Sequence, residues 1–197
     1  MTRYVFTICA VALALVPYSA SAHVGGGDAG FVRGFFHPLG RVDHIFAMIA
    51  VGLFAAHLGG RALWLVPLTF LATMATAGLL GIAGVCLPFV EIGIGMSVLV
   101  LGPTIAFQLY LPTLAAMGLV GFFAIFHGHA HGAEMVRSVS GLTFGFGILC
   151  ATALLHAVGI GLGTAVNHTA QEYSRRIIQV SGGAMAIARI GILGGVF

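Results

Sequence analysis

Six apolar stretches, each close to the length an α-helix needs to cross a bilayer, follow one another at about 42–58, 62–85, 89–109, 111–126, 139–162 and 177–196. A hydrocarbon core ~30 Å thick and a rise of ~1.5 Å per residue set that length at ~20 residues. The breaks carry turn-forming or polar residues: Gly59-Gly60-Arg61, Cys86-Leu87-Pro88, Tyr110-Leu111-Pro112, a His-Gly segment at 127–132 and a polar segment at 167–176. Composition agrees. With 59% hydrophobic and 7% charged residues, the chain cannot clothe a soluble globule, which carries charge on about a quarter of its residues. The sequence therefore predicts an all-α, polytopic integral membrane protein with about six transmembrane helices. These form a single helical-bundle domain over residues 23–197.

Residues 1–22 read as a cleavable signal peptide. Arg3 supplies the positive start, 5–16 the apolar segment, and Ala20-Ser21-Ala22 the small-residue cleavage site. The mature chain then begins at His23 in the periplasm, where its free α-amine and imidazole can chelate one divalent cation. Arg61 and Arg175-Arg176 fall on the cytoplasmic side, as the positive-inside rule prefers, whereas Arg33, Arg41 and Arg137 fall outside. The signal peptide, not arginine bias, sets this orientation for a multi-pass chain, and both termini come out periplasmic. Cleavage also removes Cys9; Cys86 and Cys150 lack metal-ligand spacing and read as small apolar residues.

Several function classes drop out. The formal charge of +3 comes from arginine alone, with no basic run, which excludes a nucleic-acid binder. Without lysine there is no Gly-x4-Gly-Lys phosphate loop. The thirty glycines, including Gly141-x3-Gly145 and Gly159-x3-Gly163, serve close helix packing rather than chemistry. Nine histidines remain. In a chain that otherwise avoids polarity they mark the place to look for function, because polar groups in lipid need partners.

Two clusters stand out. The first is His37-Pro38-Leu39-Gly40-Arg41-Val42-Asp43-His44, at the entrance of an apolar helix. Pro38 and Gly40 interrupt the helix before it, so His37 can fold back over Asp43 and His44. Imidazole suits nickel, cobalt, copper or zinc, and Asp43 can bind the ion or orient a histidine. Met48, one turn beyond His44, can add a thioether. A bland alternative has Asp43 capping the helix and pairing with Arg41, both histidines wetted. The second cluster is Phe126-His127-Gly128-His129-Ala130-His131-Gly132-Ala133-Glu134. If helical, it presents His127, His131 and Glu134 on one face and points His129 elsewhere. Its bland alternative is a solvated loop. Against that stands the company of the first cluster: two of only five acidic residues fall within the two.

Together these motifs resemble the HupE/UreJ nickel/cobalt permeases. The His-x5-Asp-His and Phe-His-Gly-x-Ala-His-Gly-x-Glu patterns agree at every defining position, and the resemblance covers nearly the whole mature chain. It implies import of Ni2+ or Co2+ as substrate, with no cofactor, and carries a metal-handling role to His37, Asp43, His44, His127, His131 and Glu134. Position 129 varies in the motif, so His129 inherits no role and is an auxiliary ligand at best. His156, inside an apolar stretch, is a pathway or structural histidine; His57 marks an exit step or the interface, and Glu91 a helix cap. The expected partners are a divalent transition-metal ion and the lipid bilayer, with a homo-oligomer allowed. The rival classes are a membrane metal sensor or accessory subunit and, further back, an intramembrane metalloenzyme. The last lacks both His-Glu-x-x-His and a paired serine or cysteine nucleophile. Mass spectrometry of the mature protein is expected to find His23 at its N-terminus; cleavage elsewhere removes the amine-imidazole chelate.

Overall fold

The computed structural model describes residues 28–135 and 141–167. The signal peptide, His23, His168 and the sixth apolar stretch lie outside the described residues. Within them the chain is all-helical, without strands, and forms a polytopic membrane protein. The elements are α1 (Asp28–Phe36), a 3-10 turn (Pro38–Gly40), α2 (Val42–Leu58), α3 (Ala62–Ile82), α4 (Val90–Ala106), α5 (Thr113–Met135) and α6 (Gly141–Asn167). Three helices are long and apolar enough to span: Ala62–Ile82, Thr113–Met135 and Gly141–Ala165. The bent pair Ala29–Gly40 and Val42–Leu58 makes up to a fourth, and Val90–Ala106 is a shorter apolar helix.

Helix α2 sits at the centre, packed against α6, α4 and α3. Its segment from Ala47 to Ala56 is almost entirely buried, apart from the partly covered Ile49. Side chains such as Trp64, Leu114 and Leu142 are exposed on the outside, where lipid rather than water accepts them. Glycines bring the helices together. A β-carbon at Gly52 would overlap the His156 carbonyl, and one at Gly159 would overlap that of Ile49, so α2 and α6 touch backbone to backbone. Such contact yields the dispersion energy that must hold helices together where lipid supplies no hydrophobic drive.

Two local differences from the sequence reading bear on the site. The segment at 127–132 is not a break, since α5 runs through it to Met135. Gly128 and Gly132 face α3, and a β-carbon on either would overlap the carbonyls of Met74 and Gly78. The packing gained outweighs the cost of about 1 kcal/mol per helical glycine. Upstream of the first motif there is a nine-residue helix, α1, that its short apolar pattern did not announce. It meets α2 at 86°. Pro38 opens the 3-10 turn and Arg41, at φ −122° and ψ 113°, is extended, so the chain turns a corner between His37 and Val42.

The glycine contacts are testable. Gly132→Val is expected to cost about 1–3 kcal/mol or more through backbone overlap with α3, seen as a lowered thermal midpoint or loss of folded detergent-solubilised protein. Gly118→Ala, whose added β-carbon meets nothing within 4 Å among the described residues, is expected to change neither.

Candidate metal centre

The corner before α2 and the last turns of α5 lie at one end of the bundle, and the two histidine motifs meet there. His44 on α2 touches both histidines of α5, its ring centroid 5.1 Å from that of His127 and 5.0 Å from that of His131. His37, swung inward by the corner, lies 5.4 Å from His131 ring to ring, and its Nε2 is 2.8 Å from Glu134 Oε2. Glu134 Oε2 also stands 3.4 Å from His131 Nδ1. His37 thus turns toward His131 and Glu134, and it is His131 that joins it to His44.

A depth gradient runs through the cluster. His37 and Glu134 are 29% and 39% exposed at the mouth, whereas His131, His44 and His127 are buried. At the mouth, one ligand atom each from His37, His131 and Glu134 lies within 4.8 Å of the others. Ligands ~2.1 Å from a small divalent cation stand ~3–4 Å from one another around it, so modest closure of this trio would suffice.

Deeper in, hydrogen bonds orient each ring. Asp43 Oδ1 lies 3.1 Å from His44 Nδ1 and accepts its proton, which leaves the lone pair on Nε2. It also accepts the His44 backbone N–H at 3.0 Å. The Nδ1–H of His127 donates to the Phe123 carbonyl one turn back, at 3.0 Å. Its Nε2 is buried and has no hydrogen-bond partner among the described residues. A carbonyl and a carboxylate can only accept, so both tautomers follow from the partners. The result is a metal-ready lone pair on each of two buried imidazoles.

Asp43 does pair with Arg41, at 3.2 Å, as the bland reading of the first motif had it. Of the two histidines that reading wets, His44 is buried at 1% exposed, whereas His37 stays partly exposed at the mouth. Arg41 also donates to Glu91 Oε2 at 3.0 Å, tying the first turn of α4 to the corner. Sequence spacing gave no hint of that link across fifty residues. Nor did it single out Phe70, whose ring packs against His127 at 5.6 Å and His156 at 5.2 Å. Of the auxiliary candidates, His129 faces away and its Nε2–H donates to the Val85 carbonyl at 2.6 Å. Met48 is buried in the apolar core.

The family model of the HupE / UreJ proteins matches residues 11–193. The chain belongs to the HupE/UreJ family. Protein HupE of Rhizobium leguminosarum bv. viciae is 43% identical over 189 residues, covering 96% of each chain. No solved structure matches. HupE/UreJ proteins are transport and accessory proteins rather than enzymes. Removing the charge that orients His44, as in Asp43→Asn, is expected to weaken Ni2+ binding by about 10–100-fold. Equilibrium dialysis of the purified protein measures it.

Proposed function

We propose that this protein is a permease that imports Ni2+ or Co2+ across the bacterial inner membrane. The observation that carries the reading is the contact of one imidazole, His44, with two histidines of the other motif. That contact joins segments more than eighty residues apart around a common point in a helix bundle. Imidazole and carboxylate ligands suit the task. They bind a borderline divalent ion strongly enough to replace its water, yet more weakly than a cage of thiolates that would retain it.

In this reading the mature N-terminus is periplasmic, and the mouth formed by His37, His131 and Glu134 faces the periplasm with it. An ion arrives hydrated at the mouth and exchanges water for the two imidazoles and the Glu134 carboxylate. It then passes to the lone pairs of His44 and His127, while Asp43 offsets its charge. Arg61, Trp64 and Tyr110 mark the cytoplasmic end, where aromatic and basic residues favour the interface. The membrane potential favours entry by about 2.3 kcal/mol per charge per 100 mV, and twice that for a divalent ion. Relative affinity alone ranks Cu2+ above both metals, so selection rests on geometry and supply.

The test is uptake of 63Ni2+ into vesicles holding the full chain, with binding measured in parallel. Uptake that competes with Co2+ and falls by about tenfold or more in His44→Ala and Glu134→Ala is expected. Binding without uptake in the parent protein would instead make it a sensor or accessory subunit.

A further inference from the structure

One buried histidine belongs to neither motif. His156 lies in the middle of α6 and is 1% exposed, and among the described residues neither Nδ1 nor Nε2 has a hydrogen-bond partner. A polar ring enclosed in an apolar bundle without a partner is costly, and native proteins keep few of them. In a membrane such a group marks a substrate path more often than a packing choice.

Its surroundings connect it to the centre described above. The ring of Phe70 on α3 meets the His156 ring edge-on at 5.2 Å and the His127 ring at 5.6 Å. A single aromatic side chain therefore touches both imidazoles, and His127 also carries a nitrogen, Nε2, without a partner among the described residues. Both rings are buried, and His156 sits farther along the bundle from the mouth. Gly52 of α2 packs on its carbonyl, eight residues along α2 from His44, which corresponds to ~12 Å of helix rise. One turn before it on α6, Thr152 is fully buried with its hydroxyl 4.0 Å from Met74 Sδ. Farther along α2, His57 keeps a buried Nε2 without a partner among the described residues, beside the Tyr110 ring, 5.0 Å away. Unpaired imidazole nitrogens thus recur from the histidine centre toward the opposite end of the bundle.

We propose that His156 is the ligand of a second, inner divalent-cation site, which exchanges the ion with His127 past the Phe70 ring. The inner site rests on the permease reading for its purpose but not for its existence. Its chemistry is that of a neutral imidazole offering one lone pair to a borderline transition-metal ion. With one protein ligand of this strength, the inner site holds the ion more weakly than the outer centre, as onward release requires.

The experiment compares the full-length parent with His156→Phe, which keeps a ring and removes both nitrogens. Titration with Co2+, followed by its visible absorption, is expected to show a tight site in both proteins and a weaker second equivalent in the parent only. In vesicles, 63Ni2+ uptake by His156→Phe is expected to fall about tenfold while affinity at the outer site is kept. Partial recovery in His156→Met, which restores a soft donor, separates ligation from packing. Should His156→Phe not fold, His156→Gln replaces it, near in size and a poor ligand, with the same expected outcome. The inner site is overturned if the variant binds the same number of Co2+ ions as the parent, or if it loses the outer site as well, which signals a structural role. A parent that takes up no 63Ni2+, yet binds one Co2+ more than the variant, overturns the permease reading and leaves the inner site standing.

Discussion

The backbone contact between α3 and α5 is the constraint on which the rest of the site depends. Gly128 and Gly132 seat α5 on the carbonyls of Met74 and Gly78, which sets the rotation of α5 about its axis. In an α-helix each residue is turned ~100° from the one before it. His127 and His131 each precede a glycine by one position, so locking the glycine stripe onto α3 aims the histidine stripe at α2. A single β-carbon on that stripe would push the helices apart and carry the histidines out of reach of His44. The alternation of His and Gly in the motif is in this sense one mechanical unit.

The corner before α2 plays the complementary part. A continuous helix would place His37 about two turns, ~10 Å, from His44 on nearly the same face. Because Pro38 and the extended Arg41 redirect the chain by 86°, His37 reaches Glu134 instead, and the mouth of the site is closed by a side chain from outside the helix core. Arg41 occupies the outer side of the same corner, bridging Asp43 and Glu91. Its charge is thereby balanced at the edge of the bundle, and Asp43 shares its carboxylate between a guanidinium and the His44 ring. That sharing holds the His44 ring in one orientation.

Much of the candidate site was legible residue by residue. His37, Asp43, His44, His127, His131 and Glu134 announce themselves because donor atoms are rare in a chain built for lipid, and their spacing repeats a family pattern. What local pattern missed was helical continuity through Gly128 and Gly132, since propensity counts glycine as a breaker and cannot see the carbonyls awaiting it. The short α1 was missed for a related reason: nine residues carry too little periodic signal, and α1 is held by packing against α6. Phe70 carries no signature at all, and Glu91 shows in the sequence only as an acidic residue at a helix start, where the structure finds it. Each matters only through what lies across from it.

The sequence alone determined that this chain lives in a bilayer as a helical bundle, because too little charge and too many spans of the right length admit no other solvent. It also determined which side chains can hold a metal, because ligand chemistry belongs to the residue type. Only the tertiary structure decided that the two motifs share one end of the bundle and that His44 is the residue they have in common. It likewise decided that His129 turns away to Val85 while His156, against the Phe70 ring, finds no hydrogen-bond partner among the described residues. Those outcomes depend on how helices rotate and cross, and that is set by backbone contacts between residues far apart in the chain, which no local pattern encodes.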